Sequence, residues 1–146
     1  EWMVNLNQSL DVNTSNLFNG HQLTSNENYI IVSSQDSTYV INSTNGEIKS
    51  KFNIISKIKP LIVNNNLFLI SSNNIFICIN LKNSEILYSF KVNKKIAEFL
   101  EIKEKFAVFD DIILANNKIL VLLKSGYLVK FDLMGNLEEI FKLQTR

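Results

Sequence analysis

The sequence predicts an all-β chain made of about three copies of one four-stranded unit, and three observations carry that prediction. A block of apolar runs and polar turns recurs at 29–52, 67–90 and 119–141. Ser34, Ser72 and Lys124 each stand eight residues before Asn42, Asn80 and Asp132, so the turn and the polar residue that follows it keep one spacing. Between the apolar runs lie clusters of Asn, Ser, Asp and Gly, the punctuation of short strands.

The elements follow in order. Glu1-Trp2-Met3-Val4-Asn5-Leu6 reads as the last strand of a preceding unit, assigned to 1–8. The first unit, 17–55, opens on a weak strand at Gln22-Leu23. Tyr29-Ile30-Ile31-Val32 follows, then the turn Gln35-Asp36-Ser37, a strand ending at Asn42, the turn Thr44-Asn45-Gly46 and a last strand ending at Phe52. The second unit, 59–92, begins at Pro60-Leu61-Ile62-Val63, turns at Asn73-Asn74 and at Lys82-Asn83-Ser84, and closes at Phe90. The third, 110–146, begins at Ile112-Ile113-Leu114, turns at Ser125-Gly126 and at Met134-Gly135-Asn136, and closes at Phe141. The turn residues are those that accept positive φ or bond their own backbone. Ten residues separate Asn42 from Phe52 and Asn80 from Phe90, but nine separate Asp132 from Phe141, which places a one-residue deletion in the last turn.

Four antiparallel strands per unit make a β-propeller blade, and three blades are too few to close a ring of about four to eight, so a partial or open propeller is expected. The runs at 29–32 and 120–123 are nearly continuous in apolar residues, which suits strands covered on both faces. Ile31, Ile41, Leu69, Ile79, Val121 and Phe131 are the expected core.

Asn80 and Asp132 are 52 residues apart, against 38 for Asn42 and Asn80, so about 14 residues are inserted before the third unit, at 93–109. A short helix near 93–106 is expected, with Ile96, Phe99, Leu100 and Ile102 on one side and Lys94, Glu98, Glu101 and Lys103 in solvent; a two-stranded extension is the other reading. Insertions into repeat arrays often bind partners. Lys94, Lys95, Glu98, Glu101, Lys103 and Lys105 are therefore the candidate partner-binding residues.

Composition narrows the function. Fifteen basic against fourteen acidic residues give a net charge of +1 with no dense basic run, which argues against nucleic-acid binding. No apolar run approaches the roughly 18 residues of a membrane span. Cys78 is the single cysteine and lies within an apolar run, so a buried, inert thiol is expected. His21, the single histidine, reads as a surface loop residue and leaves no two-histidine metal site. Asp110-Asp111 reads as a blade-entry turn rather than a paired acid and base. No phosphate loop, Gly-x-Ser-x-Gly elbow or Cys-His arrangement appears, so no catalytic residue, metal or cofactor is assigned.

At the turn before each last strand, Ile41-Asn42-Ser43-Thr44-Asn45-Gly46-Glu47, Ile79-Asn80-Leu81-Lys82-Asn83-Ser84-Glu85 and Phe131-Asp132-Leu133-Met134-Gly135-Asn136, the sequence resembles the pyrroloquinoline-quinone-like β-propeller repeat family. Tyr88 falls where that family carries a docking tryptophan and Ser50 falls there in the first copy, so tryptophan docking is expected to be weak. The likeness is nearest to the BamB-type outer-membrane protein assembly propellers. It implies an eight-bladed, noncatalytic protein-binding scaffold in the periplasm, anchored to the outer membrane as a lipoprotein and holding the outer-membrane assembly barrel protein. A quinoprotein-like dehydrogenase segment, with its quinone and calcium site outside these residues, is the alternative. Open blade edges offer a further route to assembly.

Overall fold

The computed structural model describes residues 1–4, 23–34 and 36–143. Among them are three four-stranded antiparallel sheets, each in plain sequence order, and one short helix. The first sheet is β1 (Leu23–Ser25), β2 (Tyr29–Ser33), β3 (Thr38–Asn42) and β4 (Ile48–Phe52). The second is β5 (Leu61–Val63), β6 (Asn66–Ile70), β7 (Ile75–Asn80) and β8 (Glu85–Lys91). Helix α1 (Val92–Leu100) follows, and the third sheet is β9 (Phe109–Ala115), β10 (Lys118–Leu123), β11 (Tyr127–Phe131) and β12 (Leu137–Lys142). Among the described residues this is the strand composition of three propeller blades. His21, Gln22, Gln35 and most of the expected strand at 1–8 lie outside the described residues; residues 1–4 are irregular.

The repeat has a local physical cause. After the third strand of each sheet an Asn or Asp side chain accepts the main-chain N–H two residues on: Thr44 to Asn42 at 2.8 Å, Lys82 to Asn80 at 2.9 Å and Met134 to Asp132 at 2.9 Å. These Asx turns reverse the chain, and Gly46, Ser84 and Gly135 complete the reversal at positive φ. Register then shifts at one equivalent place in every sheet, at Val40/Ile41, Cys78/Ile79 and Lys130/Phe131. The deletion lies where the spacing put it: Asn42 N–H reaches Glu47 O, whereas Asp132 N–H reaches Asn136 O.

The chain divides into two compact units, Glu1–Ile55 and Ser56–Arg146. In the first, Tyr29, Ile31, Val40 and Ile41 are buried. In the second, one face of β5–β8 packs on one face of β9–β12, joining Phe68, Ile70, Phe76 and Cys78 to Ile119, Val121, Val129 and Phe131. Phe76 stacks on Phe90 at 5.1 Å and tilts against Phe131 at 5.5 Å. Each fully buried apolar side chain contributes about 1.5–3 kcal/mol of transfer free energy, most of it offset by chain entropy. All six expected core residues are buried.

Two local expectations are corrected. Asp110 and Asp111 lie inside β9 rather than in a turn, because buried Phe109 pairs with Leu123 and pins the strand's start ahead of them. The helix runs over Val92–Leu100 and buries Val92, Asn93 and Ala97, with Ile96 partly covered, while Phe99, Leu100 and Ile102 are exposed. It stops because Glu101 turns left-handed at φ 53°, and the N–H groups of Glu101 and Ile102 close back on Glu98 and Ala97. Nine residues present one narrow stripe, and Ile102 lies beyond it.

Candidate functional site

The segment 92–108 leaves the blade pattern, and its two ends are held by one residue. Helix α1 continues directly from β8, with Lys91 in extended conformation and no side-chain cap. Its first N–H, from Val92, donates instead to Asn74 O at 3.0 Å. Asn74 sits at φ 60° in the β6–β7 turn, buried, with its side-chain Nδ2 donating to Ala107 O at 3.5 Å and its Oδ1 accepting from Lys57 Nζ at 3.4 Å. The second sheet thus fixes where the excursion starts and where it returns.

The six expected partner-binding residues are not gathered into one site. Lys94 and Glu98 pair one helical turn apart at 3.7 Å, both in solvent. An exposed pair of this kind is worth about 0.3–0.5 kcal/mol. Lys95 points inward: its Nζ donates to Gly135 O at 2.6 Å and lies 4.0 Å from the centre of the Phe90 ring. Glu101 forms the helix end, and Lys103 and Lys105 are exposed on the return path. Between these charges the excursion shows solvent a row of apolar side chains, Phe99, Leu100, Ile102, Phe106 and Val108. Phe106, at 75% exposure, is the most open, with Lys57 Nζ 5.3 Å from its ring centre. The signal in the sequence was a surplus: the segment carries more large apolar residues than a short helix can bury.

A second constellation joins the second and third sheets at the turn after β11. The Tyr88 hydroxyl donates to Leu133 O at 2.8 Å, and its ring lies so close to Gly135 that a Cβ there would meet Cε2 at 2.6 Å. In the first unit Trp2 makes the same contact. Its Nε1 donates to Ser43 O at 3.2 Å, and a Cβ on Gly46 would meet Cε3 at 2.5 Å. Ring docking is therefore well formed at both positions, contrary to the weak docking that Ser50 and Tyr88 suggested. Burial lifts the Tyr88 hydroxyl far above the usual tyrosine range, with the Cys78 thiol adding to it. Burial likewise pushes the Cys78 thiol up to about 11, so both groups stay protonated at neutral pH. Asp132 is drawn upward by burial, but hydrogen bonds from the Asn136 side chain and from the Asn136 and Met134 N–H groups outweigh this and leave it below 3.8.

Among the described residues no three His, Cys, Asp or Glu side chains converge on a common point, and no helix is long and apolar enough to cross a membrane.

No protein-family model and no curated protein matches the sequence. Solved structures do match in fold. BamB from Moraxella catarrhalis superimposes with a TM-score of 0.68 at 13% identity, over 84% of this chain and 34% of that one. The computationally designed Ika8 protein gives 0.62 at 10% identity, over 85% and 36%. A europium-containing methanol dehydrogenase gives 0.62 at 14% identity, over 83% and 24%. BamB and the dehydrogenase are both pyrroloquinoline-quinone-like propellers, and over the matched part this chain shares their sheets of four antiparallel strands. It spans about a third of the first two structures' lengths and a quarter of the third's.

Proposed function

We propose that this chain is a noncatalytic protein-binding scaffold of the BamB type, periplasmic or outer-membrane-associated, whose partner is the outer-membrane assembly barrel protein. The observation that carries the reading is the excursion: five exposed apolar side chains among solvated lysines and glutamates, on a segment held at both ends by Asn74. Exposed aromatic and aliphatic clusters with a charged rim are what protein interfaces are built from. The likeness to BamB supports protein binding and an envelope location, and the choice of partner rests on the resemblance of the repeat turns to that family.

The likeness to a methanol dehydrogenase favours a second reading, a quinoprotein segment whose active site lies in other residues. One experiment separates the two: affinity purification of the intact polypeptide from native envelope after mild cross-linking. Recovery of the assembly barrel supports the scaffold. Recovery of bound quinone and calcium with dye-linked alcohol oxidation overturns it in favour of the enzyme.

A further inference from the structure

Between the end of α1 and the start of β9 the chain is held at its two ends and not in the middle. The Ile102 N–H closes on Ala97 O, Ala107 O accepts from Asn74 Nδ2 at 3.5 Å, and Val108 O accepts from the Lys124 N–H at 2.9 Å. Among the described residues no hydrogen bond reaches the main chain of Lys103, Glu104, Lys105 or Phe106, and all four side chains are exposed. A protease must draw its substrate out of the fold, so it cuts where the chain can leave without breaking hydrogen bonds or uncovering core.

The other lysines within the described residues lack that freedom. Those of β4, β8, β10, β11, β12 and α1 lie within main-chain ladders. Lys57 donates its N–H to Ile70 O at 2.8 Å and precedes buried Ile58. Lys59 precedes Pro60, which has a fixed φ and no N–H. Lys82 and Lys124 are tied into tight turns by their own N–H groups, bonded to Asn80 Oδ1 at 2.9 Å and to Val108 O.

We propose that Lys103–Glu104 and Lys105–Phe106 form one built-in cleavage site for a protease that reads lysine before the scissile bond, and that the two pieces stay assembled after the cut. Hydrolysis consumes one water per bond, breaks the amide C–N bond and leaves a carboxylate on the lysine and an ammonium on the next residue. The pieces hold because they share one core: Ile58, Phe76 and Val92 come from before the cut, Ile119, Val129 and Phe131 from after it. Asn74 also spans the cut, bonded to the Val92 N–H on one side and to Ala107 O on the other. The cut divides the exposed apolar row between Ile102 and Phe106. At Lys105–Phe106 it also creates an ammonium on the residue whose ring Lys57 Nζ already faces at 5.3 Å, and like charges repel. This inference rests on chain geometry alone and goes beyond the scaffold reading.

The test is brief native digestion of the intact polypeptide with trypsin, read by mass spectrometry and size-exclusion chromatography. The expected result is a first cut within these residues after Lys103 or Lys105, with pieces that elute together until urea is added. Lys103→Gln combined with Lys105→Gln should slow that first cut at least about tenfold and leave the urea midpoint unchanged. A first cut after any other lysine, pieces that separate without urea, or a double variant cut as fast as the wild type would each overturn the proposal.

Discussion

Replacing Gly135 with alanine tests the ring docking between the second and third sheets. The backbone there has φ +81°, where an L-residue costs about 1–2 kcal/mol. A Cβ would also meet Tyr88 Cε2 at 2.6 Å and Phe90 Cε1 at 2.8 Å. The rings cannot simply swing aside, because Phe90 is stacked on Phe76 at 5.1 Å and Tyr88 on Phe90 at 6.2 Å. Moving them loses the Tyr88 hydroxyl bond to Leu133 O, worth about 0.5–1.5 kcal/mol, and part of a stack worth about as much. Gly126→Ala is the matched control: its φ is +79°, but nothing lies within 4 Å of the new methyl group. Urea unfolding of the two variants should place Gly135→Ala about 2 kcal/mol below Gly126→Ala, with unchanged m. In a Tyr88→Ala background the difference should shrink. Equal costs for the two glycines in the wild-type background would refute the docking argument.

Other perturbations have defined outcomes. Ile79→Asn places an unpaired amide at a fully buried position and should cost about 3–4 kcal/mol in urea unfolding. Cys78 should resist a maleimide at pH 8 in the native protein and react only as fast as the protein opens, whereas prompt labelling would contradict its burial. Asp132 has a folded-state pKa below 3.8, so its contribution is present above that value and is lost as pH falls through the folded one. Stability of the wild type relative to Asp132→Asn should therefore decline as pH falls below the ordinary aspartate range in acid titrations. Asn74→Gly keeps the positive φ and removes the side chain. Hydrogen exchange should quicken around Ala107 and leave the Val92 amide, bound to a main-chain oxygen, protected.

The six core positions were legible because Asn42, Asn80 and Asp132 anchor three copies to one frame, and the two central strands of that frame are apolar runs, covered on both faces where burial is continuous, as in β3 and β7. Helix α1 was legible as a helix but not as a surface. Its apolar residues outnumber what a nine-residue stripe buries, and the left-handed Glu101 that ends it has no marker in the sequence. Asp110 and Asp111 were misplaced because Phe109, which anchors the strand start, stood outside the aligned repeat. Trp2 on Gly46 joins residues far apart in sequence, and Gly46 alone reads as a turn glycine. Lys95 was indistinguishable from Lys94 by composition, yet one helix position sends it to Gly135 O and the other into solvent.

The central claim is that the excursion is the contact surface of a binding scaffold. It is tested most directly by a photo-cross-linking side chain placed at Phe106 in native envelope, with Met134, equally open but off the excursion, as the control. The account predicts an adduct with the outer-membrane assembly barrel from position 106 and none from position 134. No adduct from 106, or the same adduct from both, would contradict it.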